Sequence, residues 1–407
     1  MRSLCFNLLE LVSLLVEIHY SYMPVFKGSL SSKLPQVGTT IFATMSALSA
    51  EFNAINLSQG FPDFGVDPVL LNLVDKYMKQ GYNQYAPMPG VLPLREALSA
   101  KMDKAYSTSY DPNSEITITA GATQAIYSAI SAVVKEDDEV ILFTPAYDCY
   151  VPSIELNGGK PIHIQMQPPY YNIDWEEVKK TVNYRTKLIV INTPHNPTGT
   201  ILSAKDLMEL EKITSNSDIM ILSDEVYEHI IFDGYEHQSV ARYPKLAERS
   251  FIVYSFGKTF HATGWKLGYC VAPEKMMKEF RKMHQFQTFA CNHPMQMALA
   301  EYLLNENNYN AIGSMYQYKR DLFNSLLKDS RFEIRPSAGT YFQLLDYKAI
   351  SDEKDIDLAK QWTIDHKVSS IPVSVFYRQP VYKNVLRFCF AKQDETIAAA
   401  AKILSNI

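Results

Sequence analysis

Between residues 116 and 271 short apolar runs alternate with longer stretches in which apolar side chains recur every three or four positions. The runs fall at 116–119, 140–143, 187–192, 219–223, 251–255 and 267–271. They are near-continuous rather than alternating, which marks strands buried on both faces. Strands of that kind, separated by helical stretches, build a largely parallel sheet covered by helices: an α/β fold. Gly121-Ala122-Thr123 turns the first run into a helix expected to reach about Val134. Beyond residue 294 the texture changes to a long helical region rich in Tyr, Asn and Lys. It leads through Arg331-Phe332-Glu333-Ile334 into mixed helix and strand, the pattern of a second, smaller α+β domain. A chain of 407 residues is long for one core. The expected division is an extension outside the fold at 1–22, a segment at 23–53 joining the small domain, a large domain at 54–293 and a small domain at 294–407.

The stretch at 4–18 is leucine-rich, but Glu10 and Glu17 interrupt it and no small-x-small cleavage site follows. It is too short and too charged to span a bilayer. Residues 1–22 are therefore read as an extension ahead of Met23, as from a start codon assigned too early. A formal charge of −5 disfavours nucleic acid and anionic membrane as partners. Cys5, Cys149, Cys270, Cys291 and Cys389 are scattered, odd in number and free of any Cys-x-x-Cys pair. That is neither a disulfide framework nor a zinc site, and no metal is expected. Free thiols point to the cytoplasm.

Polar residues and glycines gather just after the apolar runs. In open α/β sheets ligands bind outside the carboxyl ends of the strands, so these turns should converge. Gly121-Ala122-Thr123 offers backbone N–H groups and a helix N-terminus to an anion, although small residues also serve any tight connection. Pro145-Ala146-Tyr147 sets an aromatic face able to stack on a flat ring, or to pack in the core. In Asn192-Thr193-Pro194-His195-Asn196-Pro197-Thr198-Gly199 two prolines hold Asn196 as a donor, while His195 lacks a paired carboxylate and reads as structural. Ser223-Asp224-Glu225-Val226-Tyr227 places a carboxylate where it can meet a protonated ring nitrogen, with a tyrosine three residues on; helix capping by Asp224 is the plainer reading.

Ser255-Phe256-Gly257-Lys258-Thr259 resembles the end of a nucleotide-binding P-loop, but that motif needs glycine at 252, where Ile stands. A lysine directly after a buried strand either snorkels outward or is a desolvated amine suited to a Schiff base. Arg387, flanked by apolar residues in Leu386-Arg387-Phe388-Cys389-Phe390, needs an anionic partner, from a substrate carboxylate or from within the protein.

Together these segments resemble the class I aminotransferases of pyridoxal-phosphate (PLP) fold type I, from about Met23 to the C-terminus. His195-Asn196-Pro197-Thr198-Gly199, Ser223 to Tyr227, and Ser255 to Lys258 with Gly264-Trp265-Lys266 carry the likeness. Ser58-Gln59-Gly60-Phe61-Pro62-Asp63, Asn83-Gln84-Tyr85 and the run from Lys258 to Trp265 are similar to the methionine/kynurenine, glutamine-transaminase-like branch. The resemblance implies a seven-stranded, mostly parallel sheet, a homodimer with shared active sites, and small-molecule substrates: an L-amino acid and a 2-oxo acid.

It further implies that Lys258 carries PLP and moves a proton between the substrate α-carbon and cofactor C4′. Asp224 would meet the ring nitrogen, Tyr227 and Asn196 the ring oxygen, and Tyr147 the ring face. Gly121, Ala122, Thr123, Ser255 and Lys266 would hold the phosphate, with Tyr85 reaching it from the neighbouring subunit. Arg387 would bind the substrate α-carboxylate beside Asn196 and Gly60. Lys266 stands where the aspartate branch has arginine, a point charge instead of a fork. No arginine is placed for a side-chain carboxylate, and Phe26, Phe61, Tyr85 and Phe376 could line an apolar pocket. That favours methionine, aromatic, kynurenine or glutamine donors over aspartate. The alternatives are a cysteine-S-conjugate β-lyase on the same scaffold, and a PLP-binding regulator, for which 1–22 is too short to be a DNA-binding domain.

Overall fold

The computed structural model describes residues 24–379, 381 and 383–407, so the leucine-rich stretch at 4–18 lies outside the described residues. The chain divides into two units, Met1–Gln36 and Val37–Ile407. Residues 24–36 of the first contain no helix or strand, and almost all are exposed. All the described helices and strands belong to the second unit.

Thirteen strands are described there: β1 (Ile55–Asn56), β2 (Ile116–Thr119), β3 (Glu139–Thr144), β4 (Lys160–Gln165), β5 (Thr186–Asn192), β6 (Met220–Asp224), β7 (Ser250–Ser255), β8 (Gly268–Val271), β9 (Glu333–Ile334), β10 (Phe342–Asp346), β11 (Val368–Ser369), β12 (Ile371–Pro372) and β13 (Val385–Cys389). The main sheet has seven strands in the order β2-β8-β7-β6-β5-β3-β4. β8 runs antiparallel to both neighbours and the remaining pairs are parallel. The six apolar runs are six of these strands, displaced by at most one residue at each end. The seventh, β4, alternates polar and apolar residues and contains Pro161. Those are edge-strand features, and the edge is where it lies.

The helix α1 (Ala122–Val133) follows β2 directly and buries Ala125, Ile126, Ser128, Ala129 and Ile130. The short α2 (Tyr150–Leu156) follows β3 and buries Tyr150, Ser153 and Ile154. Parallel register sets the strand ends level, so Asn192 at the end of β5 pairs with Asp224 at the end of β6. A smaller sheet in the order β12-β13-β10-β9 is antiparallel. In it Arg387 sits in the centre of β13, opposite Leu344 on one side and Ile371 on the other. Among the described residues, no helix is long and apolar enough to cross a membrane.

Candidate active site

The carboxyl ends of β5 and β6 are tied together by one side chain. Asn192 Nδ2 donates to the backbone oxygen of Asp224 at 2.8 Å, and its Oδ1 accepts from the backbone N–H of Asn196 at 2.9 Å. The Asp224 side chain is buried at 3% exposure. Its Oδ2 accepts from the Tyr150 hydroxyl at 2.6 Å and its Oδ1 from the Val226 N–H at 3.3 Å. Burial pushes the carboxyl up to about 6, and the Tyr150 bond opposes that rise.

Lys258 lies in a single helical turn, Phe256–Thr259, begun immediately after β7. Its Nζ donates to the Tyr341 hydroxyl at 3.0 Å and to the Gly60 carbonyl at 3.5 Å, and Tyr341 in turn donates to the same carbonyl. The side chain turns inward and does not snorkel. Burial brings the ammonium down to about 8; the fields of Lys266 and Arg387 act in the same direction and Asp224 against it.

Gly121 adopts φ +78°, a left-handed conformation that costs glycine little, at the unprotected N-terminus of α1. A Cβ placed on it would lie 3.5 Å from Lys266 Nζ. Thr123 hydrogen-bonds the half-buried Tyr147. Backbone donors at a helix start and a neighbouring ammonium form an anion cradle. A cavity of about 130 Å³ joins these parts, lined by Gly121, Ala122, Thr123, Tyr147, Asn196, Asp224, Tyr227, Ser255, Lys258 and Lys266.

Arg387, in the smaller sheet, does not line this cavity but meets its wall at Asn196. It is 1% exposed, and its Nη1 donates to Asn196 Oδ1 at 2.7 Å and its Nη2 to the Ser58 carbonyl at 3.2 Å. The guanidinium lies 3.9 Å from the centre of the Phe342 ring, and its Nε has no partner. Among the described residues it makes no ion pair, and Asp148 acts on it only at longer range. Burial lowers its pKa to about 10. A buried guanidinium with an orphaned N–H and no paired carboxylate is suited to receive an anion.

The other sequence candidates divide. Gly60 is present through its carbonyl, and Phe376 is buried with its ring 5.3 Å from the guanidinium. Tyr85 is 80% exposed, packs edge-on against Phe289 and lines a different cleft beside Asn292 and His293. Phe61 is 44% and Phe26 71% exposed. His195 is buried, with Nδ1 2.7 Å from the Thr198 hydroxyl, and burial lowers it to about 3, which makes it a neutral structural residue. Tyr150, Asn192, Tyr341 and Phe342 escaped the sequence reading. Only Tyr150 carried a signal, one helical turn beyond Tyr147 in Tyr147-Asp148-Cys149-Tyr150.

Lys258 is faced by two further cations, Lys266 and Arg387, and by the Asp224 carboxylate. That balance fits a phosphorylated pyridine together with a substrate carboxylate, and Gly121 leaves the phosphate end open.

Residues 53–404 match the family model for aminotransferases of class I and II. The chain is 48% identical to an Escherichia coli methionine aminotransferase over 377 residues, covering 92% of this chain and 98% of that protein. It is 31% identical to human kynurenine–oxoglutarate transaminase 3, covering 93% and 90%. A solved Escherichia coli structure described as having a methionine aminotransferase function superposes with a TM-score of 0.92 at 47% identity, covering 93% of this chain and all of the other.

Proposed function

The chain belongs to the class I and II aminotransferase family and is a PLP-dependent aminotransferase, and on that premise we propose which residues do the work and which donors they serve. The preferred donor is an apolar, aromatic, methionine-, kynurenine- or glutamine-type L-amino acid, and a 2-oxo acid takes the amino group in the second half of a ping-pong cycle.

PLP, when bound, supplies an electron sink for the negative charge left at the substrate α-carbon when its proton departs. Asp224 accepts the N–H of the ring and so keeps that nitrogen protonated. Tyr227 and the Asn196 amide donate to the ring oxygen, and Tyr147 covers the ring face. Gly121, Ala122, Thr123, Ser255 and Lys266 hold the phosphate. Lys258 would hold the cofactor and, once the substrate amino group has replaced it there, would take the α-proton as a neutral amine and pass it to C4′; the burial that brings it to about 8 suits it to that exchange near neutral pH. Arg387, beside Asn196 and Gly60, binds the α-carboxylate and fixes which substrate bond faces the amine.

The observation that carries the substrate reading is the setting of Lys258. Its Nζ lies 5.8 Å from the Tyr227 ring centre and 5.7 Å from that of Tyr341, and Phe342 lies under Arg387. No arginine other than Arg387 meets this group among the described residues, so a distal carboxylate has no fork to receive it. Aromatic walls suit thioether and ring side chains. Tyr85, exposed and turned from its own cavity, is assigned to the partner subunit's phosphate in a homodimer. The unpaired thiols of Cys149, Cys270, Cys291 and Cys389 support a reducing, cytoplasmic setting.

The test offers single amino acids to the PLP-loaded protein with no oxo acid present. Methionine, kynurenine, an aromatic amino acid or glutamine should bleach the yellow colour faster than aspartate. Equal or faster bleaching by aspartate contradicts the substrate assignment.

A further inference from the structure

The Asp224 carboxylate is the group on which ring protonation depends, and among the described residues a single side-chain donor is aimed at it. The Tyr150 hydroxyl, at the start of α2, lies 2.6 Å from Asp224 Oδ2. Tyr150 is 3% exposed, and its ring is held edge-on against Tyr147 with centroids 5.9 Å apart. The other oxygen receives only the longer Val226 N–H contact. We propose that Tyr150 is a positioning residue for the cofactor: it holds Asp224 in its charged form and in one orientation, with Oδ1 left for the ring nitrogen. This rests on the assignment of Asp224 to that nitrogen.

The neighbourhood explains why a donor is needed. Asp224 is faced by Tyr147, Cys149 and Tyr150 from the β3–α2 side, by Glu225 and Tyr227 along its own segment, and by Lys258 from the end of β7. Glu225 and burial favour the neutral acid; Lys258 and the two hydrogen bonds favour the carboxylate. Burial and Asp224 itself keep the Tyr150 phenol protonated, so it remains a donor at every working pH. A charge-assisted bond to a buried carboxylate is among the stronger ones.

The experiment measures PLP binding to the apoprotein against pH, by equilibrium dialysis, in wild type, Tyr150→Phe, and protein carrying 3-fluorotyrosine at position 150. Tyr150→Phe should weaken binding about tenfold at neutral pH and move the acid midpoint of binding upward. The fluorinated phenol is a better donor in the same shape and should move that midpoint downward. A merely structural role moves neither midpoint. Unchanged midpoints in both proteins overturn the inference. If Tyr150→Phe does not fold, the fluorotyrosine protein decides alone, by a downward shift or none. Asp224→Ala, run alongside, separates the two failures: if it binds PLP as wild type does, the assignment of Asp224 itself is wrong.

Discussion

Arg387 Nη1 lies 2.7 Å from Asn196 Oδ1, a bond that ties the centre of β13 in the smaller sheet to the loop after β5 in the larger one. Arginine only donates, so the bond fixes the Asn196 amide with its oxygen toward the guanidinium and leaves Nδ2 free to donate toward the cavity. One residue thereby serves both the substrate site and the cofactor site.

Arg387→Met should raise KM for every amino acid and 2-oxo acid by about 100-fold to 1000-fold, the cost of a lost bidentate charged contact. PLP binding should weaken by a much smaller factor, because the Asn196 amide loses the bond that orients it. Because the guanidinium is buried without a carboxylate, the variant should melt no lower than wild type. Steady-state kinetics and a melting curve check both halves.

Asp224→Asn should separate stability from function. The folded carboxyl is raised to about 6 from an ordinary 3.8, so its charge is penalised in the apoprotein. The sign follows from linkage: the penalty is absent below 3.8, grows between 3.8 and about 6, and is complete above, where it reaches up to about 3 kcal/mol. The asparagine apoprotein should therefore melt higher than wild type at pH 8 and equally at pH 4. The same protein should bind PLP more weakly and turn over far more slowly.

Gly121→Ala forces a side chain into φ +78° and brings a methyl to 3.5 Å from Lys266 Nζ. The strain should cost about 1–2 kcal/mol of stability. Crowding at the phosphate end should weaken PLP about tenfold, yet leave pyridoxal, which lacks the phosphate, unaffected. Competitive binding of the two vitamers measures the difference.

Uptake of PLP by the apoprotein should accelerate as pH rises through about 8 and level off above it, since only the neutral Lys258 amine can attack. An ordinary lysine would keep accelerating toward 10.5. Stopped-flow absorbance across that range distinguishes the two.

The sheet was legible because its strands are buried on both faces and announce themselves as unbroken apolar runs. β4 was not, because an edge strand solvated on one side looks like a loop with two isoleucines. The functional turns could be read because each follows such a run, and parallel register brings their ends together. Tyr341 and Phe342 could not be read, since Phe342 opens β10 of the smaller sheet with Tyr341 just before it, and they reach Lys258 and Arg387 only through the packing of that sheet. Asn192 looked like the last residue of a strand. Its work of bonding Asp224 and Asn196 appears only in the pairing of β5 with β6.

The most direct test of the central claim is to reduce the PLP-loaded protein with borohydride, digest it and locate the modified lysine by peptide mass. The account predicts a single pyridoxyl adduct on Lys258, with none in a Lys258→Ala protein that still binds PLP through the phosphate cradle. An adduct on Lys266 or any other lysine in the wild-type protein, or no adduct at all, would contradict it.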